Sequence, residues 1–279
     1  MKIKYLLTIP LGHLILSLSR KFSLTVFRYN IPLPLDEIIY VSLDILAVLF
    51  LVYLYDKYVL KIHWQDIYVC KPVPQVKWVV AAVLLSTFVL VCCIFLTKGT
   101  FIKEEISIQE KIDLAFNTIL GGGVRAAVTE EVIFRGLIFS SLQKMKGTKF
   151  AVAGSSILFA VMHLVNIDTS NVYNVISLLI AIFLIGCAFA LIVLETGSIW
   201  SGVVFHGLYN VISGDMDILH VSAAESFPAI WLYKPVKEYR WITGIIGSDD
   251  IETGLPAMIG FVIVIIVALY LIKKKRQIN

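Results

Sequence analysis

Residues 173–194 read YNVISLLIAIFLIGCAFALIVL and carry no charged side chain from Tyr173 to Leu194. A helix rises 1.5 Å per residue, so it needs about 20 apolar residues to cross a bilayer core, and this run meets that length. Working outward, apolar runs of similar reach occupy residues 38–55, 78–97, 124–143, 150–165, 198–213 and 256–272, with 5–19 a shorter further candidate. Composition agrees: of 279 residues, 58% are hydrophobic and 16% charged, and the mean hydropathy is +0.86. An ordinary soluble domain carries about 25% charged residues, so a soluble globular class is excluded. The expected fold class is all-α, a polytopic transmembrane helical bundle of about seven to eight spans.

The net charge of +4 would suggest nucleic acid only if the basic residues formed a stripe. Instead they sit at the ends of apolar runs, so no nucleic-acid partner is expected. Cys70, Cys92, Cys93 and Cys187 show no paired spacing, and no disulfide framework or thiolate metal site is expected. Lys2 and Lys4 precede the 5–19 run without a small-residue cleavage signal, which reads as an uncleaved anchor or interfacial helix. All eight prolines fall before Trp78 or after Ser213. Because proline interrupts helices, the chain divides into N-terminal membrane segments and a loop over 1–77, a core over 78–213, an extramembrane loop over 214–255, and a last span with a basic tail over 256–279. Gly121, Gly122 and Gly123 read as a break between an amphipathic surface helix over about 109–120 and a membrane helix beyond.

Basic residues set orientation. With seven spans, the groups Lys57/Lys61/Lys71/Lys77, Lys144/Lys146/Lys149 and Lys273/Lys274/Lys275/Arg276 fall on one side, read as cytoplasmic. Loop 214–255, with Asp215, Asp217, Glu225, Glu238, Asp249, Asp250 and Glu252 against Lys234, Lys237 and Arg240, falls opposite. Arg20, Lys21 and Arg28 conflict with this pattern if 5–19 spans.

Ionisable residues inside spans cost about 2.5–3.5 kcal/mol on insertion scales and are functional candidates by default. Glu130, Glu131 and Arg135 lie in TEEVIFRG, His163 ends LFAVMH, and His206 and Asn210 lie in FHGLYN. Glu131 and Arg135 are four apart and can pair on one helix face, while Glu130 points about 100° away and stays free. His206 and Asn210 share the same spacing, and Phe159 stands four before His163. With the spans ordered as above, Glu130, His163, His206 and Asn210 reach one depth. A free carboxylate, two imidazoles and an amide at one depth are the parts for activating water and stabilising an oxyanion. Asp44, His13, His63 and His220 have no evident partners and read as structural.

These residues resemble the CPBP family of intramembrane proteases, which includes type II CAAX prenyl endopeptidases, Abi-like proteins, and proteins of bacteriocin processing and self-immunity. The family's EExxxR is similar to Glu130, Glu131 and Arg135; its FxxxH to Phe159 and His163; its HxxxN to His206 and Asn210. The resemblance covers about 124–212. It implies that Glu130 with His163 activates the attacking water, that His206 and Asn210 stabilise the oxyanion, and that Glu131 and Arg135 hold the geometry. It also implies a glutamate-dependent reaction with no cofactor; zinc is disfavoured because the HExxH spacing of zincins is missing. The implied partners are membrane lipids and a peptide or membrane-protein substrate, in what reads as a bacterial cell membrane. The charge pattern places the site nearer the outer face, whereas CAAX endopeptidases act from the cytosol; either the topology is inverted or the substrate is not a CAAX protein.

Competing classes fit less well. An aspartyl intramembrane protease would need GxGD, and the first glycine of that motif is missing before Gly214 and Asp215. A rhomboid-like pair fails because Ser201 and His206 are five apart on one helix, roughly 140° around. A non-catalytic scaffold or self-immunity protein binding a peptide is the alternative reading, and a proton-coupled transporter using Glu130 is a third without repeat support.

Overall fold

The computed structural model describes residues 3–70, 72–103, 105–167, 169–213, 217–221, 228–236, 239–244 and 251–278. Helices dominate: α1 (Ile3–Leu6), α2 (Thr8–Ser23), α3 (Leu35–Tyr55), α4 (Val76–Thr97), α5 (Ile108–Phe116), α6 (Ala127–Glu131), α7 (Phe139–Lys146), α8 (Thr148–His163), α9 (Val172–Thr196), α10 (Trp200–Ile212), α11 (Arg240–Thr243) and α12 (Leu255–Ile278). Four stretches, Leu35–Leu60, Val76–Thr97, Val172–Thr196 and Leu255–Gln277, are long and apolar enough to cross a membrane by length and composition. They turn Leu46, Phe50, Leu84, Phe88, Phe95, Ile263 and Ile266 outward. Apolar faces of this size on a folded chain belong against lipid, and this is a membrane protein.

The helices pack as a bundle in which α9 contacts α8 and α12, α4 contacts α10 and α12, and α2 lies along α3. Small residues permit the closest approaches, as in membrane bundles generally. A Cβ on Gly186 of α9 would lie 2.8 Å from the Cβ of Ser156 on α8. The loops gather at two ends. At one end Tyr68 donates to Gln143, the Ile199 amide donates to the Tyr68 carbonyl, Ser198 Oγ donates to the Cys70 carbonyl, and Lys77 and Lys275 reach Glu195. All of the basic groups expected to share a side lie near this end of their helices, apart from Lys71, which falls outside the described residues.

Three corrections to the sequence reading follow. First, the chain is not purely α-helical. Strands β1 (Thr100–Lys103), β2 (Leu219–Val221) and β3 (Trp231–Lys234) form a small sheet at the opposite end, ordered β1-β3-β2. β1 runs antiparallel and β2 parallel to β3. The Tyr233 hydroxyl accepts from the Gly99 amide and donates to the Ile94 carbonyl, fixing the sheet on the end of α4. Short strands of three or four residues give too little alternation to be seen in sequence. Second, the triple glycine is no break. Helical backbone runs from Ile108 through wide, π-type segments at Asn117–Ala126 and Val132–Ile138 to Lys146. The glycines serve close packing instead: a Cβ on Gly123 would lie 2.7 Å from Val211 Cγ2, and one on Gly207 would lie 2.5 Å from the Gly123 carbonyl oxygen. Third, of the two readings of the N-terminal run as an anchor or an interfacial helix, the interfacial one gives way, since residues 3–23 run antiparallel to α3 within the bundle. Lys4 donates to the Leu60 carbonyl, and the Tyr55 hydroxyl to the Lys4 carbonyl. Of the acidic loop, Asp215, Glu225, Lys237, Glu238, Asp249 and Asp250 lie outside the described residues, as does Gly214.

Candidate active site

The helix carrying Glu130 is set by its neighbours. Thr129 returns its hydroxyl proton to the Arg125 carbonyl, keeping its own polarity local. The next turn is wholly buried: Glu131 is 0% and Arg135 1% exposed. Their ion pair, Arg135 Nη1 to Glu131 Oε1 at 3.0 Å, is the i, i+4 contact expected from spacing. The guanidinium also lies 4.1 Å above the Phe159 ring and 5.3 Å from the Phe189 ring centroid, so aromatic faces share its charge. Glu131 has a second partner that spacing within one helix could not show: His206 Nδ1 lies 3.3 Å from the same Oε1. Glu131 thus binds an arginine on its own helix and a histidine on α10, and the imidazole is further stacked on Phe189 at 5.1 Å.

Glu130 faces elsewhere, as expected, and no ion pair or hydrogen bond engages its carboxylate among the described residues. It lines a cavity of about 180 Å³ together with His163, His206 and Asn210; Phe159, Phe189, Tyr209 and Glu252 close its walls. The four candidates expected at one depth therefore share one chamber. His163 ends α8, its Nδ1 2.8 Å from the Phe159 carbonyl and its ring edge-on to Phe159 at 4.6 Å. A carbonyl only accepts, so Nδ1 carries the proton and Nε2 presents its lone pair. Asn210 donates one Nδ2 hydrogen to the Gly122 carbonyl at 3.0 Å. Its other N–H remains for the chamber. That carbonyl belongs to the wide segment, where looser turns make backbone oxygens available to side chains.

Glu130 and His163 also line a second cavity of about 220 Å³, walled by His13, Leu16, Ser17 and Arg20 of α2, Asp44 of α3, and Arg125, Thr129 and Phe134. Asp44 and His13, which show no evident partners in sequence, both line it. Asp44 pairs with Arg125 at 3.3 Å and is 2% exposed, and His13 faces the same chamber. Arg125 was missed although it obeys the rule that singled out Glu130, an ionisable residue inside an apolar run. Glu195, which falls between the 173–194 and 198–213 runs, is buried at the basic end and holds Lys77 Nζ and Trp78 Nε1 at 2.8 and 3.0 Å. His63 takes part in a capping turn with Asp66, and His220 is buried in β2; neither joins the site. The hydrogen bond from the His63 amide holds the Asp66 carboxyl below its usual range. Among the described residues, no three His, Cys, Asp or Glu side chains are grouped so as to hold a metal ion.

No curated protein and no solved structure matches the chain. Residues 112–212 match a family model described as type II CAAX prenyl endopeptidase Rce1-like. That stretch holds Glu130, Glu131, Arg135, Phe159, His163, His206 and Asn210. Over this part of its membrane bundle, the chain is similar to the Rce1-like type II CAAX prenyl endopeptidases.

Proposed function

We propose that this protein is an intramembrane endopeptidase that hydrolyses a peptide bond near the membrane by water attack. The observation that carries the reading is the shared chamber of Glu130, His163, His206 and Asn210. Glu130, unpaired, takes a proton from water, with the His163 Nε2 lone pair helping to orient it. The water oxygen then bonds to the substrate carbonyl carbon, and the C=O electron pair moves onto oxygen. His206, held at Nδ1 by Glu131, turns its Nε2 edge to that oxyanion, and the free Asn210 N–H donates to it. Glu130 returns its proton to the departing nitrogen as the C–N bond breaks. No step requires a metal or cofactor.

The helices that fall short of a full span, α2, the Ile108–Lys146 run, α8 and α10, complete a bundle of seven to eight passes in this proposal. The core over 78–213 houses the chemistry, the basic end faces the cytoplasm, and the host is bacterial. The test compares new protein termini in cells carrying wild type or Glu130→Gln at matched membrane abundance. Termini lost only with the variant establish the protease and name its substrate. Equal termini, with any associated peptide-resistance phenotype intact, leave a binding or scaffold role.

A further inference from the structure

Helix α2 places His13, Leu16, Ser17 and Arg20 along one stripe, spaced three, four and seven residues from the first, and all four line the second chamber. The helix enters the bundle at the basic end and brings Arg20 towards the opposite end, where the bias of basic residues to one side disfavours an arginine. Arg20 is exposed on that stripe, so a ligand can reach its guanidinium. The chamber contains two carboxylates. Asp44 is engaged by Arg125 at 3.3 Å, and Glu130 must remain free if it is to accept a proton from water. Arg20 itself has no carboxylate within ion-pair distance among the described residues. A ligand carrying an anion into the chamber would find Arg20 without such a partner among the described residues.

Glu130 and His163 border both chambers, so a peptide whose scissile carbonyl lies against Asn210 and His206 extends past Glu130 into the space before Arg20. We propose that this second chamber is a substrate subsite in which Arg20 binds a carboxylate carried close to the scissile bond. An arginine fork suits a carboxylate better than a single ammonium would, because it can give two parallel hydrogen bonds. The carboxylate is either an acidic side chain or the substrate's own chain end. This assignment rests on the protease reading for its geometry, but its binding half stands apart from turnover.

The probes are N-terminally lipidated decapeptide pools, randomised except for one position fixed as Glu, Gln or Lys, each made with a free or an amidated C-terminus. The full chain is used in phospholipid vesicles. Binding is read by fluorescence competition on the Glu130→Gln background, and cleavage by mass spectrometry on Glu130-intact protein. Pools bearing the recognised carboxylate should bind about 10- to 100-fold tighter than their amide counterparts, the range of a charge-assisted hydrogen bond. Arg20→Gln should bring that ratio to about one, Arg20→Lys should keep part of it, and Arg20→Glu should turn preference towards Lys-bearing pools. The Glu/Gln and acid/amide comparisons separate side chain from chain end. No preference for either carboxylate, or one that survives Arg20→Gln, overturns the subsite. Arg20-dependent acid binding without cleavage refutes the protease and leaves the subsite, whereas cleavage blind to carboxylates does the reverse.

Discussion

Replacing Gly207 by Ala tests whether the close crossing of α10 over the wide segment sets the geometry of the site. The added Cβ would stand 2.5 Å from the Gly123 carbonyl oxygen and 3.3 Å from its carbon, against 3.4 Å or more for ordinary contact. The obstruction is backbone, so it cannot be relieved by a rotamer change. The helices must part by about 1 Å. Overpacking of this kind costs about 1–3 kcal/mol. The same parting lengthens the 3.0 Å bond from Asn210 to Gly122 beyond hydrogen-bonding range. Asn210 then leaves the chamber wall, and a displacement of about 1 Å at a reacting group can cost roughly 10²-fold in rate. Thermal unfolding in detergent and initial cleavage rates in vesicles read the two effects. Gly123→Ala supplies the contrast: its Cβ meets the side-chain atom Val211 Cγ2 at 2.7 Å, so adding Val211→Ala should restore it. No side-chain truncation should restore Gly207→Ala. Wild-type rate and melting temperature for Gly207→Ala, or rescue of it by Val211→Ala, would refute this account of the crossing.

Asn210→Ala should slow peptide hydrolysis by about 10²- to 10³-fold while the protein still inserts, as loss of one oxyanion donor does; an unchanged rate sinks the donor role. Arg135→Leu should lower folded yield sharply, because it leaves Glu131 as a buried charge held only by His206, and adding Glu131→Gln should recover part of the yield. An unaltered yield for the single variant would remove the pair from the folding account. Tyr233→Phe should cost about 1–3 kcal/mol, since it removes the acceptor for the Gly99 amide and the donor to the Ile94 carbonyl. Hydrogen exchange confined to 98–103 and 231–234 should rise, and exchange unchanged there would show the sheet is held by other contacts.

What sequence could reveal was governed by interaction range. Glu131 with Arg135, and Phe159 with His163, are contacts within one helix turn, and the 3.6-residue period is enough to place them. The convergence of Glu130, His163, His206 and Asn210 followed from the order of spans, because alternating helices return motifs to a common depth. The His206–Glu131 and Asp44–Arg125 contacts join residues 75 and 81 apart on different helices. No periodicity encodes which face of one helix meets which face of another. Gly121, Gly122 and Gly123 show the same limit: a run that reads locally as flexible backbone is, once α10 lies across it, the surface that admits another backbone. Arg20 was visible as a departure from the charge pattern, and its place beside Glu130 required α2 to be laid against α3 and α8.

The two wide segments, Asn117–Ala126 and Val132–Ile138, bracket the single tight turn that bears Glu130 and Glu131. A π-type turn holds more residues than an α-turn for the same advance, so each segment acts as an angular shim. Deleting one residue from the first would let the helix tighten to α geometry with little change of direction beyond it, whereas a deletion in an ordinary α-turn swings everything beyond by about 100°. The two adjacent acids differ by that same angle. Which of them confronts the chamber is therefore decided by residue count: a one-residue deletion in an α-turn upstream would bring Glu131, still paired with Arg135, to the station Glu130 holds, while leaving every motif letter in place.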